Sequence, residues 1–293
     1  MTTYQSILSF IILLLSLFGI SYEPTRPSSG PKAAPLIISP PARAVSEIIS
    51  GMVRIPGGEF DMGCDQSKRK EKCNLVELPL HKVYLDTYYI DRTEVTVGQY
   101  QACLTARACT EPIRTYSDSA PNYFYNSDYK NYPVIFVTWF QARDYCTWAG
   151  KRLPSEAEWE KASRGVSSTR IYPWGNAEPD CRTANIKSKS KKCAGDVQPV
   201  GSYARDASLY GVVDMAGNVR EWINDWYEPN FYKHSPYNNP TGPVDGRFVV
   251  MRGGRFDNTW PAARTAARRT IGPNDYGAGI GFRCAFSPVN PSP

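Results

Sequence analysis

Eight cysteines and two histidines are the residues of this 293-residue chain best suited to redox or metal chemistry. The histidines, His81 and His234, are too few for a zinc or non-haem iron centre built on two or three imidazoles. The cysteines fall at 64, 73, 103, 109, 146, 181, 193 and 284, with no CxxC among them. Cys64–Cys73, Cys103–Cys109 and Cys181–Cys193 are close in sequence and suit local loop staples, as expected in an oxidising compartment. The Gly217-Asn-Val-Arg-Glu221 segment has the composition of a tight turn, and a tight turn can present several carbonyls toward one point. The plainer reading of Asn218 is a left-handed turn residue. The run from Lys187 to Lys192, KSKSKK, reads as a solvated loop, with a phosphate or acidic-peptide site as the alternative.

The elements that must carry these residues are short. Met52 to Met62 reads as two strands around Pro56-Gly57-Gly58, and Lys82 to Ile90 is β-rich. Thr93 to Leu104 reads as a helix. Thr138-Trp-Phe-Gln141 is a capping box opening a helix that ends at Gly150, and Ser155-Glu-Ala-Glu158 opens another to about Ser163. Beyond Gly165 come glycines, prolines and aromatics with brief β runs such as Gly246 to Arg252. No alternation of helix and parallel strand is present, which argues against a doubly wound sheet or an (βα)8 barrel. Trp222 and Trp226 read as core, and Arg252-Gly-Gly254 as a bend where backbone approaches backbone.

The amino terminus differs from the rest. Ile7 to Ile20 carries no charge, and at fourteen residues it suits a signal peptide over 1–21 better than a spanning helix of roughly 20. An uncleaved anchor is the alternative; both export the chain. A Pro-rich linker over 22–46 follows, then one domain over 47–287 and a disordered tail over 288–293. The composition, 42% apolar and 21% charged, is globular. A net charge of +6 is too mild to argue nucleic acid, and membrane contact is expected only through the terminal anchor.

The ordered segments MVRIPGGEFDMG, LHKVYLDTYYIDRTEVTVGQY, VTWFQARDYCTWAGKRLPSEAEWEKASRG, YPWGN, LYGVVDMAGNVREW, RGG and IGFRCA resemble the formylglycine-generating enzyme, or sulfatase-modifying-factor, family. The resemblance implies an α+β, C-type-lectin-like fold with little regular secondary structure. It implies a Cys146–Cys284 bridge. It also implies calcium bound by Asn185 and Ile186 and by Gly217, Asn218, Val219 and Glu221, with Asp196 a candidate partner. Family enzymes that make formylglycine hold Cu(I) on two cysteines shortly after RGG. Here Arg252 to Thr270 contains none, with Asn258 and Trp260 near the expected positions and Arg255 directly after RGG. Copper is therefore not expected. The expectation is a shallow groove of Arg255, Asn258, Trp260, Arg264 and Arg268 that takes a peptide or glycan, in an accessory or binding module. The alternative is a formylglycine-generating oxidase acting on a sulfatase cysteine.

Overall fold

Three reciprocal capping boxes set where the helices begin. In the computed structural model, which describes residues 42–67, 72–166, 170–188, 191–203 and 205–288, Thr138 accepts from the Gln141 amide while Gln141 accepts from the Thr138 amide. Ser155 and Glu158 do the same. These start α3 (Trp139–Trp148) and α4 (Glu156–Arg164). Gly150 (φ 73°) and Gly165 (φ 87°) follow them in the left-handed region that glycine tolerates. A third box, Thr96 with Gln99, starts α2 (Val97–Thr105), so the helix expected from Thr93 begins four residues later. The linker expected to reach residue 46 also ends earlier, because α1 (Ala42–Ile48) is helical. The apolar run 7–20, the bulk of the linker and the tail beyond 288 lie outside the described residues. Among the described residues no helix is long and apolar enough to cross a membrane.

The two strands around Pro56-Gly57 form as expected, β1 (Met52–Ile55) and β2 (Gly58–Met62), but they do not pair with each other. The β-rich run after His81 breaks at Asp86-Thr87 into β3 (His81–Leu85) and β4 (Tyr88–Asp91). β2 pairs antiparallel with β3, and β1 with β4. β11 (Ala285–Phe286) adds to the other side of β4, so the end of the domain closes onto its beginning. A four-stranded sheet runs β10 (Ile280–Gly281), β7 (Arg220–Trp226), β8 (Val249–Arg252), β9 (Arg269–Ile271). β5 (Lys187–Ser188) and β6 (Lys191–Lys192) form a small hairpin where a solvated loop was expected.

Trp222 is fully buried in one apolar cluster and Trp159 in another. Their indole N–H groups do not go unpaired: Trp222 donates to the Val137 carbonyl and Trp159 to Glu221. The long irregular stretches are held by buried arginines. A guanidinium offers five donors, enough to satisfy carbonyls that no ladder reaches. Arg252 donates to the carbonyls of Thr265, Ala266 and Ala267 and pairs with Glu160. Arg283 donates to those of Asp91, Arg92 and Val213 and pairs with Glu221. Low regular secondary structure is thus compatible with a rigid domain.

All eight cysteines are bridged, as Cys64–Cys73, Cys103–Cys109, Cys146–Cys284 and Cys181–Cys193. Each expected pair is present. Cys146–Cys284 ties α3 to the residue ahead of β11.

Candidate functional site: a cationic groove beside the double-glycine bend

The chain leaves β8 through Gly253 (φ 90°) and Gly254 (φ 72°), a conformation that L side chains rarely adopt. A Cβ on Gly254 would sit 2.9 Å from the Ala262 carbonyl, so the loop folds directly back on itself. Phe256 is buried and its amide donates to the Asn218 carbonyl, which anchors the loop to the turn before β7. The Lys187 amide donates to the Asn258 carbonyl at 2.8 Å and anchors it to the β5–β6 hairpin. The segment Asp257–Pro261 is left between two hollows that share Lys187, Thr259 and Pro261 as a common wall.

The two hollows differ in chemistry. The larger, about 620 Å³, is lined by Trp260, Pro179, Pro261 and Ile186, with Glu178 and Asp180 at its margin. Asp180 is already paired with Arg182. The other, about 430 Å³, is lined by Lys187, Arg220 and Arg269, with Asp257 and Asn258. Asp257 is taken up by Arg255, through two bonds of 2.6 Å. Among the described residues Lys187, Arg220 and Arg269 form no ion pair. Arg220 donates from one terminal nitrogen to Asn258 Oδ1 at 2.5 Å, while its Nε is buried without a partner. Burial and the charges of Arg269 and Arg255 pull the Arg220 pKa down to about 10. An unmade bond on a buried polar group costs roughly 1–3 kcal/mol, so this end of the groove is short of an acceptor.

Of the expected groove residues, Asn258 and Trp260 line these hollows, while Arg255 lines neither and is engaged with Asp257. Arg264 and Arg268 do not line them either, and the expectation is corrected for all three. Arg264 is 1% exposed and Arg268 4% exposed. Arg264 is held bidentate by Glu77, Arg268 by Glu156, and the Arg268 guanidinium lies 4.1 Å from the Tyr232 ring centre. The residues after the bend turn inward because the buried glutamates of α4 and of the Leu75–Glu77 turn need counter-charges. Lys187, Arg220 and Arg269 take their place. Period two in β7 gives no signal for Arg220, because Glu221 and Ile223 on one face and Trp222 on the face Arg220 shares are all buried.

Of the residues expected at calcium, Asn185, Ile186, Gly217 and Asn218 lie against one another, but the oxygens of the set are largely engaged. Asn218 is a left-handed turn residue (φ 56°), and its Oδ1 accepts from Asn185 and from the Gln198 amide. Asp196 accepts from Ser117, from both the amide and hydroxyl of Ser119, and from the Val197 amide. Glu221 accepts three bonds, two from Arg283 and one from Trp159. A carboxylate offers about four lone-pair directions, so Glu221 has about one left. The carbonyls of Asn185, Ile186 and Asn218 each accept one amide, leaving a second lone pair. Asn185 Oδ1 is buried without a partner. Among the described residues no three His, Cys, Asp or Glu side chains converge as a metal cage. What remains fits a carbonyl-rich cation site rather than a carboxylate one, and Asn218 does not fit as a side-chain ligand.

A family model described as a sulfatase-modifying factor enzyme 1-like domain matches residues 40–288. The chain belongs to this family. Pkn1, named a serine/threonine-protein kinase, from Chlamydia trachomatis is 36% identical over 81% of this chain. This chain spans only 38% of that kinase's length. A formylglycine-generating enzyme of Streptomyces coelicolor is 32% identical over 80% of this chain and 88% of its own. The solved structure of PvdO from Pseudomonas aeruginosa is 28% identical, with a TM-score of 0.65 over 80% of this chain and 93% of that one. The fold is the α+β, C-type-lectin-like one that sulfatase-modifying-factor domains adopt.

Proposed function

We propose that this protein is an exported binding module of the sulfatase-modifying-factor family that takes an extended peptide in the groove along Asp257–Pro261 and makes no formylglycine by a copper route. The observation that carries the reading is the pairing of all eight cysteines. Cu(I) selects soft thiolates, and the loop after the double-glycine bend presents an amide, an indole and guanidinium groups in their place. A hollow with an aromatic and two prolines beside a hollow with three cations suits side chains that change character along a strand. A peptide supplies that variation more readily than a repeating glycan. Four bridges accord with an oxidising compartment, which is the basis for export.

The competing reading is a formylglycine-generating oxidase, favoured by the 32% identity to the Streptomyces enzyme. It requires that a bridge recorded here be reduced and catalytic. Copper titration of the purified protein, with oxygen uptake and mass analysis of a CxPxR peptide, separates the two. The binding module gives no aldehyde, and copper-dependent aldehyde on the peptide cysteine rejects it. Calcium is proposed as a structural ion at the Asn185-Ile186 and Gly217–Glu221 segments, held by the free carbonyl lone pairs and Asn185 Oδ1.

A further inference from the structure

Lys187 comes from the β5–β6 hairpin, Arg220 from the first position of β7 and Arg269 from the first position of β9, yet all three line one hollow. The register explains two of them: Arg269 lies opposite Met251, which lies opposite Trp222, two residues along β7 from Arg220. Three separate elements therefore deliver cations to one place. Like charges at such a point repel, and a fold retains them at a cost unless something of opposite sign is bound. The carboxylate among the lining residues, Asp257, is paired with Arg255, and the Asn258 side chain occupies one terminal nitrogen of Arg220. What is left lining the hollow is cationic, and Arg220 has in addition a buried Nε with no acceptor.

We infer that the Lys187–Arg220–Arg269 hollow is a subsite for a multiply charged oxyanion carried by the bound peptide, either a phosphorylated side chain or two adjacent carboxylates. This deepens the peptide-binding reading and rests on it for the identity of the carrier. Guanidinium groups bind such oxygens through directed forks, and lysine adds a point charge. The tetrahedral or paired geometry of these anions can meet donors arriving from three directions, whereas a single carboxylate meets two. Next to it, the Trp260 hollow takes an apolar side chain of the same peptide.

The test uses the full chain and five probes: inorganic phosphate, a phosphoserine peptide, a peptide with two adjacent glutamates, a neutral peptide of the same length, and a sulfated glycan as competitor. Phosphate is expected to bind with an affinity that falls as salt rises. Both charged peptides are expected to bind more tightly than the neutral one. Arg269→Gln, at an exposed position, and Lys187→Gln should each weaken phosphate and charged-peptide binding about tenfold and leave the fold intact. Arg220→Gln should weaken it at least as much. The better of the two charged peptides identifies the source. Equal binding of neutral and charged peptides overturns the oxyanion subsite and leaves the peptide reading standing. Phosphate binding with no peptide binding overturns the peptide reading and leaves the subsite. A sulfated glycan that outcompetes both peptides replaces the peptide as carrier. Phosphate affinity unchanged in Arg269→Gln and Lys187→Gln means an adventitious ion only, and rejects the subsite.

Discussion

Arg283 grips Glu221 side-on, with Nε donating to one carboxylate oxygen and a terminal nitrogen to the other, both at 2.7 Å. Neither side chain is exposed. The same guanidinium holds the carbonyls of Asp91, Arg92 and Val213, so one residue just ahead of β11 secures the end of β4 and the approach to β7. A buried pair of this kind is weak evidence of net stabilisation, because desolvation of both ions offsets the attraction. Breaking it from one side is another matter.

Arg283→Met is therefore expected to destabilise the domain by on the order of 3–5 kcal/mol, since it leaves Glu221 charged, buried and unmatched and frees three carbonyls. Urea unfolding monitored by tryptophan fluorescence checks this. Arg283→Met with Glu221→Met should recover part of the loss, and a double variant no better than the single one would show that the carbonyl contacts, not the ion pair, dominate.

The Cys146–Cys284 bridge closes the longest covalent loop in the domain, with a sequence separation of 138. In the chain-entropy account such a loop contributes about 5 kcal/mol, an upper figure. Replacing both cysteines with serine should lower the unfolding midpoint far more than replacing Cys103 and Cys109, whose separation is 6. Non-reducing peptide mapping should recover all four pairs, and a free thiol at any of the eight positions counts against the fold as described.

The local elements were legible and the inward turn of the arginines was not. Thr138 with Gln141 and Ser155 with Glu158 announce their helices because a cap is a short-range event, decided within three residues. The double-glycine bend and the left-handed Asn218 are local for the same reason. Their position shortly after the bend points Arg264 and Arg268 to the groove, but their burial depends on Glu77 and Glu156, at sequence separations of 187 and 112. No local pattern signals such pairs. The basic run around Lys187 reads as a solvated loop or, as the alternative, a phosphate or acidic-peptide site; the long-range bond of its amide to the Asn258 carbonyl is what brings it to the groove wall.

Asp206 and Glu94 give the domain a pH dependence of definite sign. Burial, and then the charge of Asp214, pushes the Asp206 pKa from 3.8 up to about 8. The same causes hold Glu94 well above the ordinary carboxylate range. Asp206 Oδ2 accepts from the Asp214 amide, while Oδ1 is buried without a hydrogen-bond partner. Because the folded state keeps protons that the unfolded chain releases, Asp206 contributes fully below about pH 4 and progressively less up to about pH 8. Urea unfolding at pH 4.5, 6 and 7.5, in the presence of EDTA, should show Asp206→Asn flattening the decline seen in the native chain. A parallel pair of curves would mean that Asp206 is ionised in the fold.

Calcium is expected to raise the melting temperature of the domain, and EDTA to lower it. The ion would use oxygens that internal hydrogen bonds leave over: second lone pairs on the carbonyls of Asn185 and Ile186, the unpartnered Asn185 Oδ1, and the remaining direction on Glu221. A ligand that binds only the native state stabilises it by about 2.7 kcal/mol at a concentration of 100 Kd, so a saturating millimolar concentration gives a clear shift. The obvious variant, Glu221→Ala, cannot decide the matter, because loss of the Arg283 partner destabilises the domain with or without an ion. The quantity to follow is the difference between calcium and EDTA within each variant. Magnesium, which demands octahedral geometry and keeps its waters, should give a smaller shift than calcium. Identical melting curves in calcium and EDTA for the native chain would remove the ion from this turn and leave Asn218, Asn185 and Glu221 as parts of an internal hydrogen-bond network alone.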